Sequence, residues 1–254
     1  MERTTLDIFA LSVILIFLVA IPLLGLWDFR RLMRWSREGR PDARLKTYNW
    51  LLVMEWGLTA GLLSWWFLAG RDWGSLGLVS AYYGWRWLAL GLSSGAVIAL
   101  IWQMVTVMKS PEKLEEVRAK MGDLRALAPV TPRENRVFAM VSVTAGVCEE
   151  ILYRGILLAV LTPAVGLWPA VGLSSVIFGM GHVYQGFPGI VKTTLVGLVM
   201  ALLTVFSGSL LAAMVLHAVI DLTSGRIMGA ALRDRDLGHR LEEASSSTLQ
   251  TDTP

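Results

Sequence analysis

The 254-residue sequence predicts an all-α membrane protein: a polytopic helix bundle with about seven transmembrane helices, plus an amphipathic helix on the inner membrane surface. Three observations predict it. Hydrophobic residues make up 54% of the chain and mean hydropathy is +0.56, far too apolar for a soluble domain. Apolar runs of about 20 residues recur, the length that crosses a hydrocarbon core of ~30 Å. Basic residues gather between those runs, where they set orientation. The net charge of +3 is therefore a topology signal and implies no nucleic-acid partner.

The first span is expected over about Leu6–Leu26. Residues 1–26 do not read as a cleaved signal peptide, because the apolar run is too long, little positive charge precedes it and no small-x-small site follows. Next come Arg30, Arg31, Arg34, Arg37, Arg40, Arg44 and Lys46, a basic loop that marks the cytoplasmic side and puts the N-terminus outside. Span two is expected over about Asn49–Ala69, with Trp50, Trp65 and Trp66 near its ends, and Gly57 and Gly61 on a small-xxx-small face. A short outer loop around Arg71 leads to span three, about Trp85–Met108.

The second inner loop, Lys109–Arg136, has structure of its own. Ser110-Pro111 starts a helix whose early acidic residues suit the helix dipole. Leu114, Val117, Met121 and Leu124 share one face, as in a surface amphipathic helix; a solvated linker helix is the alternative. Thr131-Pro132-Arg133-Glu134 is a capping box that begins span four, expected to end before Pro163. Spans five, six and seven follow at about Gly166–Tyr184, Ile190–Phe206 and Ser209–Met228. The tail turns charged and then Ser/Thr-rich, the composition of a disordered segment. An odd span count puts this basic tail inside, leaving Arg3, Arg71 and Arg86 as the outer basic residues. The expected organisation is thus three N-terminal spans with basic cytoplasmic loops (1–130), a helix bundle that carries the site (131–230) and a cytoplasmic tail (231–254). The single cysteine, Cys148, excludes an internal disulfide.

Polar residues break three of the apolar spans. Span four carries Glu149, Glu150 and Arg154; span five ends on Phe178 and His182; span seven carries His217 and Asp221. Ionisable residues within a membrane are costly and are functional candidates by default. Glu150 and Arg154 are four apart and share a helical face, as do Phe178 with His182 and His217 with Asp221. At ~1.5 Å per residue Glu149 and His217 fall at similar depths, with His182 nearer the inner side, so one cavity can gather all three. Such a set suits activation of water: a glutamate as general base, histidines to bind a metal or stabilise an oxyanion, and an arginine to hold a carboxylate ionised.

In these residues the chain resembles the CPBP family of intramembrane proteases, which includes CAAX prenyl proteases of the Rce1 type. The shared motifs are Glu-Glu-x-x-x-Arg (Glu149, Glu150, Arg154), Phe-x-x-x-His (Phe178, His182) and His-x-x-x-Asn/Asp (His217, Asp221), in order over about 131–228. The resemblance implies an intramembrane endopeptidase of a bacterial plasma membrane, cutting a membrane-associated protein or peptide, CAAX-like or otherwise. It implies Glu149 as the base that activates water, His182 as its positioner, and His217 with residue 221 as oxyanion stabilisers. A divalent metal such as zinc on Glu149, His182 and His217 is one implied form of the mechanism, and a metal-free glutamate mechanism is the other. Aspartate at 221 departs from the asparagine that could donate to an oxyanion, leaving it to be protonated, to orient His217 or to help hold a metal.

Three other readings compete. A proton-coupled transporter also uses buried carboxylates and histidines, but no inverted repeat of hydropathy is present. A catalytically inactive scaffold could keep the fold. Gly91-Leu92-Ser93-Ser94-Gly95 has the spelling of a serine-hydrolase elbow, but it lies inside a span, where small residues pack helices.

Overall fold

The structure, a computed structural model, describes residues 8–77 and 85–251, with side chains described through Arg233. The expected outer loop between spans two and three falls partly outside the described residues. Helix α1 is Ile8–Arg37, with one π-helical turn at Ile16–Ala20. It runs past the predicted end of span one, because the basic stretch stays helical: Arg31 pairs with Asp28 and lies over Trp27 and Trp35. It stops at Glu38, before Gly39 at φ +67°.

Helix α2 (Ala43–Leu68) and helix α3 (Arg86–Met108) are the second and third spans. Helix α4 (Pro111–Met121) starts on Ser110, whose Oγ accepts from the Lys113 amide at 3.3 Å. Ser110 also donates to Glu112, which holds that exposed carboxyl below its ordinary range. The apolar face of α4 buries Leu114 and Met121 against Ala128 and Ala231, so protein covers it.

The fourth rod, α5, spans 132–165 in three pieces: α-helix Pro132–Glu149, π-helix Glu150–Leu157 and α-helix Leu158–Val165. Its capping box forms as the sequence predicts. Thr131 Oγ1 accepts from the Glu134 amide at 3.1 Å, and Glu134 Oε2 accepts from the Thr131 amide at 2.8 Å. The rod continues past Pro163 rather than ending before it, since a proline in the last turn removes only one late hydrogen bond. It ends at Gly166, whose φ of +84° and ψ of 164° only glycine adopts freely.

Helices α6 (Leu167–Gly181), α7 (Gly186–Ser207) and α8 (Leu211–Thr251) complete the bundle. The backbone of α8 stays helical into the Ser/Thr-rich tail. Among the described residues, five helices are long and apolar enough to cross a bilayer: Ile8–Arg37, Ala43–Leu68, Arg86–Met108, Val183–Ser207 and Leu211–Arg233. The chain is an integral, multi-pass membrane protein. The other two predicted spans differ for physical reasons. The α5 rod carries its own polar cluster, and α6, at 15 residues, covers only ~22 Å.

One core cluster joins Phe17 of α1, Trp66 of α2, Ile156 of α5, Phe178 of α6 and Ala201 of α7. A second joins Ala89 of α3 to Met200 of α7 and Leu216 of α8. The polar residues of α5 lie where α2, α6, α7 and α8 meet it.

Candidate active site

The site depends on how closely α5 approaches α8. A Cβ on Gly146 would lie 2.7 Å from the Met214 carbonyl oxygen and 2.9 Å from the Ala218 Cβ. Only a glycine permits that approach, and it sets the next turn of α5 against His217. On the other side, the Trp56 indole of α2 donates to Thr144 Oγ1 at 3.2 Å. Just beyond Gly146 the backbone relaxes into the π-helix at Glu150, a wide turn often found at functional sites.

That change of geometry separates the two adjacent glutamates. Glu150 is fully buried, and its Oε1 accepts from Arg154 Nη1 at 2.9 Å and from His217 Nδ1 at 2.7 Å. Arg154 is itself buried, and its Nη2 donates to the Gly197 carbonyl at 2.9 Å. Gly197 is needed for this bond: a Cβ there would lie 2.9 Å from Phe178 and 3.2 Å from Arg154 Nη2. Glu149 instead keeps about 20% of its side chain exposed, with Oε2 lacking a hydrogen-bond partner.

His217 Nε2 lies 3.7 Å from Glu149 Oε2 and 3.7 Å from Asp221 Oδ2. Since a carboxylate only accepts, His217 carries a proton on Nδ1 toward Glu150. The residue that orients His217 is therefore Glu150, and Asp221 faces the opposite ring nitrogen. His182 Nδ1 donates to the Phe178 carbonyl at 3.0 Å, which leaves its Nε2 lone pair available. The Phe178 ring is the hub of the set: it meets His182 at 4.9 Å, His217 at 5.8 Å and Tyr153 at 5.0 Å, with the Arg154 guanidinium 4.3 Å over its face.

The candidate residues thus gather around two rings: His182, His217 and Arg154 meet Phe178, and Glu149, Glu150 and Asp221 approach His217. Glu55 of α2 was missed. It is buried, its Oε2 has no hydrogen-bond partner, and it feels the charges of Glu149, Asp221 and His217. The signal was present, since Glu55 is the lone carboxylate of the second predicted span, Asn49–Ala69.

Residues 133–223 match the family model described as type II CAAX prenyl endopeptidase, Rce1-like. The segment is Rce1-like. No curated protein and no solved structure matches the chain. The match takes in every residue of the Phe178 cluster on α5, α6 and α8, while Glu55 lies outside it.

Among the described residues, no group of three His, Cys, Asp or Glu side chains is arranged to hold a metal ion. Of the ligands expected from sequence, Glu149 and His217 Nε2 approach each other at 3.7 Å; His217 donates Nδ1–H to Glu150 and His182 to the Phe178 carbonyl, which leaves the two Nε2 atoms as the ones that could face a metal.

Proposed function

We propose that this protein is an intramembrane endopeptidase that hydrolyses a peptide bond of a membrane-associated substrate with water activated by Glu149. At family level, the Rce1-like match supports an intramembrane protease of the CAAX type. The observation that carries the residue-level reading is the contrast between two neighbouring carboxylates. One is locked into a buried network, and the other is partly exposed beside an imidazole.

In this reading Glu149, His217 Nε2 and Asp221 surround the reacting centre. Gaps of 3.7 Å are too long for direct hydrogen bonds and suit a bridging water. Glu149 takes a proton from that water as its oxygen bonds to the scissile carbonyl carbon. His182 Nε2 accepts the second water proton in a hydrogen bond and so aims the attack. His217, as imidazolium, donates from Nε2 to the tetrahedral oxyanion, and the Glu150 carboxylate on Nδ1 supports that charge. Glu149 then returns its proton to the leaving amine nitrogen as the C–N bond breaks. Asp221 balances the imidazolium electrostatically and needs no donor role. No step runs through a metal.

The Arg30–Arg37 end of α1 and the C-terminal end of α8 face the cytoplasm in this reading, consistent with the basic loops. The test is peptidase activity of purified protein in proteoliposomes. Glu149→Gln is expected to cut kcat at least 100-fold, the scale of a lost general base. Unchanged turnover would sink the mechanism, and an inert wild type that still binds peptides would favour the scaffold.

A further inference from the structure

A second concave site lies beside the cluster, at the Arg-rich end of α1. The pocket has a volume of about 600 Å³ and is lined by Arg30, Arg34 and Arg37, with Phe29 and Met33 of the same helix below them. Tyr184 closes it on the side of the cluster. The three arginines recur at i, i+4 and i+7, so they share one helical face.

These guanidinium groups differ from their neighbours. Arg31 is paired with Asp28, Arg40 with Glu38 at 2.7 Å, and Arg44 with Glu134 at 3.6 Å. Arg30, Arg34 and Arg37 have no such partner among the described residues. Two acids also line the pocket, but Glu38 is engaged by Arg40, which leaves Asp123 facing three free cations. The pocket thus presents an excess of positive charge to whatever fills it.

Its position says what that is. The Tyr184 ring meets Phe29 at 5.3 Å on the pocket side and His182 at 5.9 Å on the other, so one aromatic side chain separates the arginines from the candidate catalytic histidine. The Tyr184 phenol also lies in electrostatic range of Glu149 and Asp221. Arg30, Arg34 and Arg37 are exposed at the rim of the pocket, where an anion can reach them. A concave site of this size, next to a peptidase centre, suits several residues of peptide.

We infer that Arg30, Arg34 and Arg37 form a subsite for a carboxylate of the peptide substrate, either its free C-terminus or an acidic side chain beyond the cleaved bond. This rests on the peptidase reading, which gives the pocket a peptide to receive. Arginine suits the task because its planar fork bonds a carboxylate bidentately, and it carries its charge at any working pH.

The experiment measures binding of three hexapeptides of one apolar sequence, each with an uncharged dansyl label on its N-terminus, to full-length protein in proteoliposomes. One peptide has a free C-terminal carboxylate, one an internal Asp with an amidated end, and one neither. The wild type and Glu149→Gln are expected to bind a carboxylate peptide at least tenfold more tightly than the neutral one. The terminal and internal arms tell the two carboxylate sources apart. Arg30→Gln/Arg34→Gln/Arg37→Gln is expected to lose that preference while keeping its circular dichroism and its affinity for the neutral peptide. Equal binding of all three peptides by wild type, or an unchanged preference in the triple variant, would overturn the subsite. So would a variant whose defect appears only in vesicles containing phosphatidylserine, which would assign the arginines to lipid headgroups. Because Glu149→Gln reads binding without turnover, a failed peptidase mechanism leaves this preference intact. A failed subsite leaves cleavage without it.

Discussion

Removing the Arg154 guanidinium tests the buried network that the π-helix builds. Glu150 is fully buried, and its Oε1 is shared by Arg154 at 2.9 Å and His217 at 2.7 Å, with Oε2 unpartnered. Arg154→Ala strands that carboxylate away from water, a change that costs about 3–5 kcal/mol when a buried pair is broken from one side. The variant also loses the bond to the Gly197 carbonyl and the stacking on Phe178. Against a typical total of about 5–15 kcal/mol this is severe, yet it leaves a folded fraction to assay. The measurement is the midpoint of denaturant-induced unfolding in mixed micelles, for Arg154→Met, Glu150→Leu and the double variant. Arg154→Met alone is expected to lose about 3–5 kcal/mol, and the double variant to recover at least ~2 kcal/mol of it, because a buried apolar pair leaves no charge stranded. Peptidase activity should stay lost in the double variant, since His217 no longer has a partner on Nδ1. Single effects that simply add, within about 0.5 kcal/mol, would refute the coupling inferred from the geometry.

Three other outcomes follow from the same geometry. Gly146→Val should push α5 from α8 and cut turnover at least tenfold, with about 1–3 kcal/mol of overpacking cost in the same unfolding assay. Glu55→Leu removes a buried carboxyl whose Oε2 lacks a partner, so it should raise stability by about 1–3 kcal/mol while lowering kcat; unchanged kcat would place Glu55 outside the chemistry. Peptidase activity should survive dialysis against a strong chelator, and a loss restored stoichiometrically by zinc would put a metal into the mechanism.

What sequence reasoning could reach follows from what each signal reports. Periodicity and hydropathy report burial, so the helical class, the capping box at Thr131 and the faces shared by Glu150 with Arg154 and by Phe178 with His182 were legible. The length of α1 was not. Its arginines read as a loop, and it is pairing and stacking on Trp27 and Trp35 that keep them helical. The partner of His217 was not legible either. Spacing within α8 points to Asp221, four residues on, whereas the bond at 2.7 Å comes from Glu150, sixty-seven residues away. Glu55 forms no motif with its chain neighbours, although its cost inside a span is readable from its position alone.

The two adjacent glutamates show why a helical wheel is insufficient here. In an unbroken α-helix, neighbours point about 100° apart, and either could face the cavity. The π-helix that begins at Glu150, set against the glycine contact at residue 146, turns Glu150 into the bundle, where Arg154 and His217 hold it. Glu149 stays on the partly exposed side, with a free oxygen beside His217 Nε2. The Glu150 carboxylate is committed to Arg154 and His217 through one oxygen, which fits it to orient the imidazole. Glu149 is the more exposed of the two and has no such partner on Oε2. The division of labour between Glu149 and Glu150 therefore comes from backbone geometry as much as from residue type, and substitutions that alter the π-helix should impair Glu149 without touching it.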